Sequence, residues 1–557
     1  MTEERTARAS GAAPRRADGA EGPQITSETL LVMWAALGVG LAALGYCYRH
    51  AQILLYGDAV AHLHIARRVI DSLDPGYRQL GSVWLPLPHI LLLPFVLNDA
   101  LWRTGLAGAC LSIPCYVLAC AGIYRLARMW LPVAPSLIAV ALFGLNPGVG
   151  YLATTAMTEP LFLAELLWSL VAIAGHRRDL AQAQRAGADA AAKQRSASRH
   201  LIAAGILLVC AVFTRYDGWI FATAAWVLVS LPVLRAGNWR TRVGGAWLLF
   251  TAMLISAPVL WIAYNARQFG DPLDFMRGPY SAKAIDAKTS PPGSPHYPEY
   301  HHPEYAMLYY LKAAEMSAAP LGAGDLLLTL SLAGGIAAWG ASRGRQGGSL
   351  LLLWLPLPFY AWTIAYGSLP LFIPIWHPFS FYNTRYGIEM LPAFAMFPAF
   401  LLAALVKWKP GLRIWAPMLA ALVLLANSVA LLRAGPLIYR EAVANARTRI
   451  AFESALARAL LALPAKARIV MAVSRDVGAI QQTGMPLRRF VDEGDYDRWR
   501  RALADPSGEA PFVVALDGDA MAAAIRRHPR GLRLLKVVCS TGQPCARIYQ
   551  SEMFPGW

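Results

Sequence analysis

Apolar runs of about 20 residues alternate along this chain with short segments rich in Arg and Lys, the pattern of helices that cross a bilayer and return. Such runs lie at 30–48, 105–124, 133–151, 160–174, 201–213, 219–234, 245–264, 321–341, 350–366, 387–406 and 414–432, which predicts about eleven spans. The basic separators include Arg125 and Arg128, a linker carrying Arg177, Arg178, Arg185, Lys193, Arg195 and Arg199, and the group Arg235, Arg240 and Arg242. All of them fall on the inner side if 30–48 is an uncleaved signal anchor that keeps a disordered basic tail, 1–28, in the cytoplasm. The odd count then puts the C-terminal part outside, in a multi-pass protein of the cytoplasmic membrane.

Two stretches depart from this pattern. Residues 56–94 are charged and His-rich, with Val60, Leu63, Ala66, Val69, Ile70 and Leu73 at helical spacing and Asp58, His62, Arg67, Arg68 and Asp71 largely on the other side. That predicts an amphipathic helix lying along the outer bilayer surface, then a Trp- and Pro-rich segment and a second juxtamembrane element at 91–96. From about Gly435 the composition becomes that of a soluble α/β module, with strands expected at 468–473, 512–516 and 534–538 and helices at 496–503 and 520–527. This part, 435–557, contains no Gly-rich phosphate loop and no nucleophile motif, so a structural or acceptor-docking role is expected of it. Between the two, residues 29–434 form the membrane domain, with a long polar outer loop at 265–320.

Composition narrows the function classes. Of the 557 residues, 56% are hydrophobic and 15% charged, and the formal net charge is +17. In a soluble protein that charge would point to nucleic acid; here it reports basic inner loops, and nucleic acid is set aside as a partner. Cys47, Cys110, Cys115, Cys120 and Cys210 lie in apolar runs as small hydrophobes, whereas Cys539 and Cys545 sit in a polar segment where a local disulfide fits an extracytoplasmic location. His62, His64 and His89 are irregularly spaced and no Cys joins them, so a divalent metal is not predicted.

Threaded this way, Asp58, Glu159, Arg215, Asp217, Arg385 and Tyr386 all fall at span ends on the outer face. Ionisable groups at that depth are expensive and mark substrate pathways. Each also has a structural reading: Glu159 as a helix cap beside Pro160, Arg215 and Arg385 as snorkelling side chains, Asp217 as the partner of Arg215.

Several features together resemble the GT-C glycosyltransferases, in the branch of protein O-mannosyltransferases and the lipid A aminoarabinose transferase. They are an acid just after the first span, juxtamembrane helices, a second acid before Pro160-Leu161, the Thr214-Arg215 that ends the fifth span, and Arg385-Tyr386 followed by Leu391-Pro392. Asp58 stands alone where some relatives have paired acids, and QLGSVWLPLPH replaces a Lys-Pro-Pro type of segment. The resemblance implies a GT-C membrane domain of about eleven spans that transfers a sugar from a polyprenyl-phosphate carrier to an acceptor hydroxyl on a glycan, lipid or protein. The donor itself is the one cofactor-like molecule it implies; no other cofactor is certain, and a divalent metal is possible but not predicted. Asp58 and Glu159 are then the expected catalytic acids, with Asp58 as the base. Arg215, Arg385 and Tyr386 would bind the donor phosphate, and His62, Arg67, Gln79, Trp84, His89 and Asp217 would line the substrate cleft. A lipid or glycan transporter and a polysaccharide polymerase or ligase are the rival readings.

Overall fold

A computed structural model of the chain describes residues 26–185, 189–235, 242–290, 293–320, 322–341, 347–474 and 476–557. Most of the expected basic tail, Arg240 and much of the 342–348 loop lie outside those residues. Among the described residues ten helices are long and apolar enough to cross a membrane. The chain is an all-α polytopic membrane protein with a small C-terminal sheet.

The membrane domain begins with α1 (Ser27–Arg49), the wedge helix α2 (Gly57–Asp71) and α3 (Leu87–Val96). Then come α4 (Leu106–Ala127), α5 (Val133–Gly144), α6 (Pro147–Leu152), α7 (Glu159–Ala183), α8 (Ala190–Thr214), α9 (Asp217–Arg235) and α10 (Arg242–Phe269). Helix α11 (Pro303–Ala318) lies within the 265–320 segment, and after it follow α12 (Ala323–Ala341), α13 (Pro356–Tyr366), α14 (Leu391–Trp408) and α15 (Trp415–Ala434).

The third expected span is a broken crossing. Helix α5 stops after Gly144, and Asn146 caps α6 by accepting from the amides of Gly148 and Val149. Pro147 then occupies the first helical position, where its missing N–H costs nothing. That the pair still crosses follows from its ends. Arg128 and Leu131 lie at one end of α4, while Gly108 at the other end packs so closely on Ala156 that a Cβ there would come within 2.6 Å of it. The segment from 133 to 156 therefore covers the length of α4. Counted with the ten, it restores the eleven crossings expected from hydropathy.

Helix α2 differs from its expected place on an open bilayer surface. It is wedged between α3 and the C-terminal domain, and its polar side is closed as well: His62, His64 and Asp71 are buried. Asp71 accepts from Arg67 on its own helix and from the Leu487 amide of the C-terminal domain. Periodicity shows one apolar stripe, but a helix gripped on two sides also buries its polar stripe, where His62 and Asp71 find partners.

The C-terminal part opens with α16 (Leu437–Leu461). It then builds a five-stranded sheet of β1 (Ile469–Met471), β2 (Phe490–Val491), β3 (Phe512–Leu516), β4 (Leu532–Val538) and β5 (Ala546–Ser551), in the order β2-β1-β3-β5-β4. β1 pairs with β2 and β3 in parallel, and β5 runs antiparallel to both of its neighbours, β3 and β4. β2 is too short to show a period, and β5 carries Arg547 and Gln550 among its apolar residues, so neither stands out in sequence. Cys539 and Cys545 form a disulfide across the β4–β5 connection. Gln79, Trp102 and Arg103 bond to Gly494, Gln481 and Gln482, and Arg449 bonds to the carbonyls of Leu54 and Leu55. The domain is thus fastened to the 50–105 region, at the opposite end of the bundle from Arg128 and Glu28.

The loop before α11 is strapped to α13, where Tyr297 bonds to the Ile364 carbonyl and the His301 amide to that of Ala365. Rings of His296, Tyr300 and His301 stack at 3.8 and 4.1 Å. The same strap buries Glu299 fully, with both carboxyl oxygens lacking a side-chain partner. Burial pushes this carboxyl up to about 7.

Two outcomes are expected. An alkaline-phosphatase fusion after Trp557 should be active, since the C-terminal domain lies at the end away from the basic loops; an inactive fusion beside an active cytoplasmic reporter would refute the orientation. Glu299 loses stability as pH rises, because the folded state holds a proton that the unfolded chain releases between the ordinary 4.5 and about 7. Glu299→Gln should therefore match the natural chain in thermal melts at pH 4, gain on it by about 1.4 kcal/mol per pH unit over that window, and level off above it.

Candidate active site

Four chain-distant segments meet at the end of the bundle that carries the C-terminal domain. The turn Thr384–Met390 is entered through Asn383, whose φ of +56° is left-handed, a conformation Asn tolerates better than most residues. It places Arg385 under the N-terminus of α2. There Arg385 Nη2 donates to Asp58 Oδ2 at 2.6 Å. Arg385 Nη1 lies 3.8 Å from Glu441 Oε1. Its Nε lies 3.3 Å from Glu159 Oε1 but without hydrogen-bond geometry. The rings of Tyr56 and Tyr386 flank the guanidinium at 5.6 and 5.0 Å.

Arg215 stands behind it with its donors committed. Nε donates to Asp217 at 3.1 Å, Nη1 to Thr158 at 3.0 Å and Glu159 at 3.2 Å, and Nη2 to Tyr360 at 2.8 Å, with Glu389 at 2.9 Å. The Tyr360 hydroxyl in turn lies 3.0 Å from Asp217 and 2.7 Å from Glu389. Glu159 Oε1 sits between the two guanidinium groups. Its helix cap is not the carboxylate: Thr158 is the cap residue, and the Glu159 side chain turns into the cluster.

The two halves differ in access. Glu159, Glu389 and Glu441 have side chains no more than 1% exposed, whereas the Asp58 side chain is 40% exposed and Arg385 11%. Five carboxyls against two guanidiniums leave no cation spare. A ligand anion reaching Arg385 must compete with a carboxylate, and Asp58 is the one at the open edge.

The six expected at span ends come together: Asp58, Glu159, Arg215, Asp217, Arg385 and Tyr386. Of the other expected cleft residues, Arg67 and Gln79 serve the frame around them. Arg67 bridges Asp71 and Asp99 and donates to the Val96 carbonyl. Gln79 is buried and bonds to Asp74 and Gly494. His62 and His89 are buried and share a hydrogen bond of 2.8 Å, with half-buried Trp84 packed against His62 at 4.4 Å.

Sequence reading missed Glu389, Glu441 and Tyr360. Glu441 belongs to α16, beyond the expected domain boundary, yet accepts from Thr384 at 2.6 Å and lies 3.1 Å from the Tyr56 hydroxyl. The available signal was its place among Leu437, Ile438 and Ala442 on one buried helical face, where a carboxylate needs partners. Glu389 lies four residues after Arg385 in an apolar run, a lone acid of the same kind.

No protein-family model matches the chain, and no curated protein matches it. Among solved structures, ArnT from Cupriavidus metallidurans bound to undecaprenyl phosphate is similar, with a TM-score of 0.52 and 14% identity over 93% of this chain and 97% of that one. The archaeal oligosaccharyltransferase AglB from Archaeoglobus fulgidus, in complex with an inhibitory peptide and a dolichol-phosphate, matches at a TM-score of 0.46 and 11% identity, covering 91% of this chain and 72% of that one. The ArnT likeness gives the chain the GT-C fold.

The unequal commitment of the two arginines predicts unequal mutational costs. Arg215→Met should strand buried Glu159, Asp217 and Glu389, costing about 3–5 kcal/mol and much of the folded yield in detergent. Arg385→Met should cost less, because its one well-formed hydrogen bond goes to half-exposed Asp58 and Arg215 still serves Glu159. Thermal melts of the two purified variants should rank in that order; equal costs would contradict the division.

Proposed function

We propose that this chain is an inverting glycosyltransferase that moves a sugar from a polyprenyl-phosphate carrier to an acceptor hydroxyl at the outer face of the cytoplasmic membrane. The observation that carries this reading is the Asp58–Arg385 pair: a buried, always-charged guanidinium with donors left over, holding a half-exposed carboxylate at the mouth of the cluster. The GT-C fold and the undecaprenyl phosphate bound to ArnT support the choice of carrier.

A sugar on a phosphate already has a good leaving group, so its departure needs cations and not a general acid. Arg385 supplies a fork that pairs with two phosphate oxygens. When the phosphate takes Nη2, Asp58 is released beside the anomeric carbon. The acceptor oxygen then bonds to that carbon as its proton passes to Asp58, the carbon–oxygen bond to the phosphate breaks on the opposite face, and polyprenyl phosphate leaves. Attack opposite the leaving group inverts the anomeric centre. Arg215 acts as a fixed positive charge behind the phosphate, Glu159 positions both guanidiniums, and Tyr386 packs between them. The acceptor is a glycan, lipid or protein hydroxyl. A transporter is disfavoured because the polar groups gather at one end of the bundle and not at the midplane.

Single-turnover transfer from tritiated hexosyl and pentosyl undecaprenyl phosphates tests this. Asp58→Asn should lose about a hundredfold or more in rate while still binding donor, more tightly than the natural chain because the competing carboxylate charge is gone. Arg385→Ala should lose about ten- to hundredfold, in turnover at saturating donor as well as in affinity, and Arg385→Lys less. Near-normal rates in both Arg385 variants would end the phosphate clamp, and most activity kept by Asp58→Asn would remove it as base.

A further inference from the structure

His62 lies one helical turn after Asp58 on α2, so the two side chains rise from the same face, about 5–6 Å apart at Cβ. Its Nδ1 is 2.8 Å from His89 Nε2, and its ring packs on Trp84. Among the described residues its Nε2 bonds to no protein group, yet it is not sealed off, unlike both ring nitrogens of neighbouring His64. Burial, with the Arg385 and Arg215 guanidiniums adding to it, pushes the imidazole down to about 3, so it is neutral across physiological pH. His89 Nδ1 has no hydrogen-bond partner among the described residues. With His62 Nδ1–H donating to His89 Nε2, the tautomer on which the inference rests, a lone pair is left on His62 Nε2. A neutral, held acceptor beside a carboxylate and a half-buried indole face suits a polyhydroxylated ring: a hydroxyl for the nitrogen and a C–H face for the tryptophan.

We propose that His62 is a substrate-binding residue whose Nε2 meets a sugar hydroxyl docked between Asp58 and Trp84, with His89 as the positioning residue that orients it. This rests on the glycosyltransfer reading. The hydroxyl comes from the donor sugar or from the acceptor, and the experiment separates the two.

The test compares His62→Phe with His62→Gln in proteoliposomes supplied with the same tritiated undecaprenyl-phosphate sugars. Phe keeps the ring and its packing on Trp84 but offers the hydroxyl nothing. Gln loses the ring but carries an amide near the position of Nε2. Transfer should fall roughly tenfold or more in Phe, the cost of an unpaired polar group, and stay within about threefold of the natural chain in Gln. The shape of the pH–rate profile should not change in either. A packing role predicts the reverse order, and a lost limb in the pH profile would make His62 a base; each would overturn the proposal. If the hydroxyl belongs to the donor, release of sugar to water without acceptor should fall in Phe as well; if to the acceptor, that release should be unchanged. Should the His62 variants fail to accumulate, His89→Gln, which can still accept from His62, should outperform His89→Leu, and equal rates would overturn the proposal. A natural chain that turns over none of these donors sinks the glycosyltransfer reading and this inference with it. An active natural chain with a normal Phe variant sinks the inference alone.

Discussion

Arg215 is the group on which the rest of this arrangement depends. A guanidinium cannot shed its charge, and in a low-dielectric site each of its donors needs an acceptor. Thr158 and Glu159 before and at the start of α7, Asp217 at the start of α9, Tyr360 on α13 and Glu389 in the 384–390 turn all answer to it. That requirement fixes where four chain-distant segments end relative to one another. Arg385, one turn of chain before Glu389, inherits its position from the same network. The proposed chemistry therefore sits on a frame already determined by charge satisfaction, with only the Asp58–Arg385 edge left partly open.

Much of this was legible in the sequence, for physical reasons. Spans announce themselves because lipid admits only long apolar helices, and ionisable groups at span ends stand out because they are costly. Hence Asp58, Glu159, Arg215, Asp217 and Arg385 could be picked out singly and then grouped by threading alone. What escaped was whatever required tertiary contacts. Tyr360 looks like any other aromatic residue of an apolar helix. Glu441 falls after the change in composition at Gly435, yet the first turns of α16 belong to the site. The wedging of α2 escaped because one apolar stripe is all that periodicity registers, while its second buried face is polar and needed the C-terminal domain to close it. The break between α5 and α6 rests on Asn146 and Pro147, a cap signal easily overlooked inside an otherwise continuous apolar run.

The structure also joins the C-terminal domain to the site more closely than composition implied. Glu441 faces Arg385, Arg449 grips the chain just before α2, and Gln79 ties the segment after α2 to Gly494. Motion of that domain would thus be felt at Asp58 and at the His62–His89 pair. Through these contacts the domain helps to hold the Asp58–Arg385 edge in place.

The central claim is that Arg385 receives a polyprenyl phosphate in competition with Asp58, while Arg215 stays bound to its carboxylates. Native mass spectrometry of the chain in nanodiscs doped with undecaprenyl phosphate tests it most directly. The account predicts retention of one phospholipid carrier by the natural chain, tighter retention by Asp58→Asn, in which the competing charge is gone, and loss of it by Arg385→Ala. Equal retention by all three, or weaker retention by Asp58→Asn, would contradict it.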